Sequence, residues 1–290
     1  MEEKTKSIRT ALVLSGGGMQ CAYVSGVLSA LKDKFPTFKP DLIIAESGSS
    51  GSASYFLAGQ KQHEIAVWMA MADNPRLVSL FRNPVVDIDY LVDVIIKEKF
   101  PLDMDELRRN TISCLVPVTE HSSGKTAYLA LKKPEDVYTL LKAAMAMPFV
   151  YGKTVTYEGV EYTDGGFGSC LADHVHEAER RGATEIILVR VSSNDGLPGA
   201  IRSALKVWIR SWGLKKHEGL VEAIKRELYD MKPVIPASQT KLVTIIPSQT
   251  LSTSLIYGSR YDVRTAMNTG YDDAMASASL DELLAGFKHV

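Results

Sequence analysis

Residues 11–20 read ALVLSGGGMQ, and this stretch decides the fold. Ala11–Leu14 is an apolar run without polar alternation, the mark of a strand covered on both faces. Gly16–Gly18 follow at once, and the chain then reads as a helix through about Lys32. Strand, glycine turn and helix together form the opening unit of an α/β fold.

The same grammar continues outward. Leu42–Ala45 (LIIA) is a second buried strand, and a Gly/Ser cluster leads from it into a helix ending near Gly59. Ile112–Val118 and Ala127–Leu131 read as paired strands joined through the polar turn His121–Lys125. Glu135–Ala146 is expected to be helical. Thr154–Tyr157 and Glu161–Thr163 bracket Glu158-Gly159 as a hairpin. A helix through Arg181 precedes the strand Glu185–Val191, and Leu242–Ile246 adds another. These runs predict a central, mostly parallel sheet with helices on both faces. Neither a repeat nor a low-complexity linker divides the chain, so residues 1–290 read as one domain. The motifs lie in about 10–191, and a helix-rich part occupies about 195–290.

Composition sets outer bounds. The 290 residues are 46% hydrophobic and 23% charged, with a formal net charge of −1. Nothing in that balance favours nucleic acid as a partner. Cys21, Cys114 and Cys170 are odd in number and irregularly spaced, which fits a reducing compartment better than a disulfide framework. No C-x-x-C or H-x-x-x-H pair suggests a metal site. The polar start and the lack of an 18-residue apolar run predict a cytoplasmic chain.

Three features carry chemistry. The glycines Gly16, Gly17 and Gly18 sit at a helix start, where backbone N–H groups can hold a phosphate or an oxyanion. A dinucleotide fingerprint would need glycine where Cys21 stands, although Glu46 lies near the place of its acidic residue. A phosphate-binding P-loop would need a Gly-Lys-Ser/Thr that is absent. After the second strand comes Glu46-Ser47-Gly48-Ser49-Ser50-Gly51-Ser52. A nucleophilic serine needs a sharp elbow with small neighbours. Ser47 has the position, immediately after the strand. Ser50 has glycine two residues before it, and Ser49 has glycine two residues after. Lastly, Asp164-Gly165-Gly166 ends a short strand, and a carboxylate held in a glycine turn can take a hydroxyl proton directly. His174 and His176 keep the chain order of a Ser–Asp–His triad, but their helix reads as a surface face.

In this order the three features resemble the patatin-like phospholipase family. Its pattern is a G-G-G-x-R/K-G loop, a G-x-S-x-G elbow and a later D-G-G/A. LVLSGGGMQCAYVSGVLSAL looks like the family's first strand, loop and helix, and AAMAMPFV with YTDGGFGSCLADHVHEAERRGATEIILVRV looks like its aspartate region. The resemblance implies a three-layer α/β sandwich and a lipid acyl hydrolase with a Ser–Asp dyad. Gly16–Gly18 would be its oxyanion loop, Asp164 its base, and Gly165 and Gly166 would shape the base's turn. The family's serine falls six residues after an aspartate, which from Asp41 lands on Ser47. The G-x-S-G-S of distant calcium-activated relatives lands on Ser50.

The implied reaction needs no metal or organic cofactor, and its partner would be an acyl lipid or small ester. Gln20 and Cys21 stand where the family has a basic residue and a glycine. That substitution, with the glycine missing from the elbow, motivates one alternative, a catalytically impaired lipid-binding or regulatory protein. The glycine loop motivates the other, a nucleotide-binding protein. Two weaker features complete the reading. Ile201–Trp212 carries Arg202, Lys206 and Arg210 on one face, suited to peripheral contact with an anionic membrane, though a helix burying Leu205, Val207, Ile209 and Trp212 is the more economical reading. Met145 and Met147 could line an acyl pocket or simply be core.

Overall fold

The computed structural model describes residues 8–131, 136–192 and 234–287. Among the described residues the sheet has eight strands, and five of them lie side by side, parallel throughout. These are Ser113–Glu120 (β3), Leu42–Ala45 (β2), Thr10–Leu14 (β1), Glu185–Val189 (β7) and Lys241–Ile245 (β8). The remaining pairings, of Thr126–Ala130 (β4), Val155–Tyr157 (β5) and Val160–Asp164 (β6), are antiparallel. The sheet is therefore mixed: parallel through its middle, antiparallel at the β3 end. Both hairpins expected from the sequence are present. The β5–β6 turn is made by Glu158 and Gly159, both at positive φ, the conformation a two-residue hairpin turn demands.

Strand alternation builds two cores, one on each face. Ala11, Val13, Leu42, Ile44, Ile186 and Leu188 pack against Val175 and Ala178 of the helix Leu171–Arg180 (α6). Leu12, Leu14, Ile43, Ala45, Ile187 and Val189 face the opposite way. There they meet Ala22–Lys34 (α1), Gly48–Leu57 (α2), Lys61–Met71 (α3) and Val137–Ala144 (α5), with Met104–Arg109 (α4) packed at the edge. Helix, sheet and helix make the three-layer α/β sandwich.

The α1 helix is buried along almost its whole length, as a helix with apolar residues all round must be. Its outer side is covered by the long helix Arg260–Ala276 (α7). The two helices touch backbone to backbone. A Cβ on Gly26 would collide with the Met267 carbonyl, and one on Gly270 with the Tyr23 carbonyl. Gly270→Ala should therefore wedge α7 off α1. The overpacking cost of about 1–3 kcal/mol outweighs the gain in helix propensity of about 1 kcal/mol. A fall in melting temperature of several degrees, followed by circular dichroism, is the expected result, and an unchanged or higher value would contradict this packing.

The junction that matters lies on β3. Leu115 pairs with both Ile44 and Ala130, while Val118 pairs with both Ala127 and Asp164. Since β4 occupies one edge along this stretch, β2 and β6 must share the other edge, end to end. The chain leaving β2 at Ala45 thus runs toward the end of β6 at Asp164. Ser47 and Asp164, 117 residues apart in sequence, are delivered to one point by that arrangement.

Candidate active site

Ser47 Oγ donates a 2.6 Å hydrogen bond to Asp164 Oδ2. Both residues are buried, at 7% and 3% exposure. Ser47 has φ 50° and ψ −127°, a left-handed conformation that costs a non-glycine residue of order 1–3 kcal/mol. That strain is the elbow: the strand ends at Ala45, helix α2 begins at Gly48, and the turn between them lifts the Ser47 side chain out of the chain path.

The other two serines are engaged elsewhere. Ser49 Oγ donates to the Ser15 carbonyl and Ser50 Oγ to the Ser47 carbonyl, each at 2.6 Å, and both side chains are fully buried. They tie the helix start to its surroundings and do not reach Asp164. Position in the chain, rather than glycine spacing, picks out the serine that meets the aspartate.

Asp164 is held from several sides. Its backbone N–H donates to the Ala146 carbonyl, and its carbonyl accepts from Thr119 Oγ1 at 2.9 Å. Oδ1 accepts from the Gly166 N–H at 3.0 Å. Gly165 lies so close to Pro117 that a Cβ would strike its carbonyl, and a Cβ on Gly166 would strike Glu46 Oε1. Both glycines of the D-G-G turn are thus demanded by neighbours, not only by the turn. Burial pushes the Asp164 carboxyl up to about 7. The Ser47 hydrogen bond works against that rise, while the nearby charge of Glu46 adds to it. A buried carboxyl near neutrality can exchange a proton at physiological pH.

In the glycine loop, Gly16 N–H donates to Glu46 Oε2 at 3.0 Å. Met19 N–H donates to the Leu255 carbonyl and Gln20 N–H to the Gly17 carbonyl. The N–H groups of Gly17 and Gly18 are left without an acceptor among the described residues. Gly18 has φ 57° and its Cα presses on the Leu255 carbonyl, where any Cβ would collide. Cys21 Sγ approaches the Ser15 carbonyl at 3.7 Å. It also lies 3.3 Å from where a Cβ on Gly48 would stand, so Cys21 closes the space between loop and elbow.

His174 departs from the sequence expectation. It is fully buried on the sheet side of α6, where the sequence suggests a surface face. Its Nδ1 lies 2.9 Å from the Tyr128 hydroxyl, and its Nε2 lies 3.6 Å from Glu46 Oε2. The ring therefore lies beside the carboxyl that braces the glycine loop, at a distance too long for a hydrogen bond. His176 is exposed, with Nε2 3.2 Å from the Ile235 carbonyl.

Ser47 also lines a cavity whose walls are almost wholly apolar. It includes Val67, Trp68, Leu77, Leu91, Met145 and Met147, with Leu255 and Ile256 closing it from the C-terminal part. Both methionines marked by the sequence are in this wall. Leu255 and Ile256 carry no motif that could have announced them. Glu64 did leave a signal, since residues 64, 67, 68 and 71 share one face of α3 and all line the cavity.

The comparisons bear on this site. Residues 12–171, more than half of the 290, match the family described as patatin-like phospholipase. The chain belongs to the patatin-like phospholipase family. The matched span of this patatin-like chain includes the glycine loop, Ser47 and Asp164, but not Leu255 or Ile256. The uncharacterized protein YjjU of Escherichia coli (strain K12) is 25% identical over 272 residues, spanning 87% of this chain and 72% of its own length. VipD from Legionella pneumophila aligns at 14% identity with a TM-score of 0.44, covering all of this chain and 70% of its own. No helix among the described residues is long and apolar enough to cross a membrane. The basic stretch 201–212 lies outside the described residues.

Proposed function

We propose that this patatin-like chain hydrolyses carboxylic esters of apolar acyl groups, with Ser47 as nucleophile and Asp164 as general base. The observation that carries the reading is the 2.6 Å Ser47–Asp164 hydrogen bond in the wall of an apolar cavity. Ser47 Oγ attacks the ester carbonyl while its proton passes to Asp164 Oδ2. The N–H groups of Gly17 and Gly18 stabilise the negative charge that forms on the carbonyl oxygen. Collapse expels the alcohol, which takes the proton from Asp164. Water then attacks the acyl-enzyme, with Asp164 again receiving the proton. The cavity would hold the acyl chain.

Glu46 speaks against the nucleotide-binding alternative. Its carboxyl oxygen already accepts from Gly16 N–H, so an entering phosphate would have to displace it. The same contact lends some weight to a catalytically impaired protein, because it leaves the loop one donor fewer. Gln20 supplies no positive charge there.

A fluorophosphonate probe separates these readings. The expected result is a single adduct, found by mass spectrometry on the peptide carrying Ser47, together with loss of ester turnover. Folded protein that takes no label under conditions that label a known serine esterase would leave only the non-catalytic reading.

A further inference from the structure

Residues 78–86 form a narrow hairpin whose tip departs from the usual chemistry of turns. Val78 and Val86 pair across it, Ser79 N–H donates to the Val85 carbonyl at 2.9 Å, and Arg82 N–H closes the turn on the Ser79 carbonyl at 3.3 Å. The central positions of such a turn usually hold Gly, Pro, Asn, Asp or Ser. Here they hold Leu80 and Phe81, at 74% and 102% exposure, the only adjacent pair of large exposed hydrophobics among the described residues. The hairpin is braced from behind. The Arg82 guanidinium donates to the Leu77 and Pro84 carbonyls, Asp87 N–H to the Leu77 carbonyl, and Val86 N–H to the Val150 carbonyl. Leu77, Val78, Val86 and Ile88, at the base of the hairpin, line the cavity that Ser47 also lines. Two or three residues, roughly 10 Å of chain at most, separate the exposed tip from that wall.

We infer that Leu80 and Phe81 insert into a lipid surface and set the hairpin wall of the cavity against it. Lipid as the cavity's occupant is taken from the ester-hydrolase reading, on which this placement rests. A second copy of the chain suits the tip less well. Two side chains cover at most about 400 Å², against about 800 Å² on each partner of a stable protein interface. Their exposed neighbours Arg76 and Asn83 do not extend the apolar patch. A lipid surface sets no such minimum, because acyl chains close round whatever side chains enter them. Charge adds little to the face. Arg82 is spent on carbonyls, and Arg76, 4.6 Å over the Tyr90 ring, is matched in the same segment by Asp73, Asp87 and Asp89. Insertion should therefore proceed on neutral lipid and resist salt.

The test uses the full chain carrying Ser47→Ala, so that lipid is not consumed, and phosphatidylcholine vesicles in low and high salt. Cosedimentation should show binding in both. Leu80→Ser with Phe81→Ser should lower the partition coefficient by at least about tenfold. The melting temperature should not change, since both side chains are exposed. In Phe81→Trp the new indole emission should shift to the blue on adding vesicles, and lipid brominated in its acyl chains should quench it. Absence of binding to phosphatidylcholine, or equal binding by the double variant, would overturn the inference. So would binding that needs anionic lipid and vanishes in high salt. A dimer in lipid-free solution that the double substitution dissolves would give the tip to a second copy instead.

Turnover of nitrophenyl butyrate, a small ester that needs no vesicle, separates this placement from the hydrolase itself. With Ser47 intact, the double variant should keep that turnover while losing at least about tenfold on vesicle lipid. Vesicle binding through the tip with no ester turnover would keep the inference and remove the hydrolase. Turnover of nitrophenyl butyrate without vesicle binding would do the reverse, and the lack of both would remove both.

Discussion

Ser47→Ala is expected to reduce ester turnover by at least about 10⁴-fold, whereas Ser49→Ala and Ser50→Ala each stay within about tenfold of the parent. The contrast follows from where the three hydroxyls go. Only that of Ser47 is bonded to a carboxyl that can take its proton. Those of Ser49 and Ser50 are spent on backbone carbonyls, so their loss should appear in stability, at about 1–2 kcal/mol each. Alanine at position 47 keeps the Cβ and hence the strained φ of 50°, which isolates the hydroxyl as the cause. Ser47→Gly should be equally inactive but melt higher than Ser47→Ala, because glycine relieves the backbone. Turnover and unfolding measured on the same preparations check both halves. Activity lost in Ser50→Ala and retained in Ser47→Ala would return the choice to glycine spacing.

That choice shows where the sequence was legible and where it was not. The buried strands Ala11–Leu14 and Leu42–Ala45 announced themselves, because both faces of each are apolar and no polar residue interrupts them. Counting six residues from Asp41 reached Ser47 for a physical reason: the elbow has to fall where the strand stops. Glycine spacing points instead to Ser50, which does not meet Asp164, and Ser47 makes its turn at positive φ without a flanking glycine on the strand side. The β6 position was not readable, since nothing in YTDGG says that it lies end to end with β2 along one edge of β3. His174 was hidden by its neighbours. Asp173, His176 and Glu177 give α6 a polar look, and only the position of the sheet shows that residues 174, 175 and 178 point inward. Leu255 left no trace either. It acts through its carbonyl and through bare proximity to Gly18, neither of which depends on the identity of its side chain.

Asp164→Asn should uncouple activity from stability. Asparagine keeps the shape and can still accept from Gly166 N–H, but its amide cannot take the Ser47 proton, so turnover at pH 8 should fall by about 10³–10⁴-fold. Stability should respond the other way. In the unfolded chain the aspartate titrates near its ordinary value of 3.8, whereas in the folded protein burial raises it to about 7. The folded state therefore binds the proton more tightly. The contribution is favourable and complete below about 3.8, and it is lost as pH rises through about 7, where folding must bury a charge. The asparagine side chain carries no such burden, so the variant should melt at or above the wild type at pH 8, and that advantage should shrink or reverse at pH 5. The wild-type kcat/KM should rise with pH through about 7, the ionisation that arms the base. A profile flat from pH 5 to 8 would mean that Asp164 is not the group whose proton state governs the reaction. Unfolding curves for the two proteins that stay in parallel across the same range would show that its carboxyl is not raised by burial. The rate measurement and the unfolding measurement thus interrogate one proton from two sides, and both have to move at the same pH for the dyad to act as proposed.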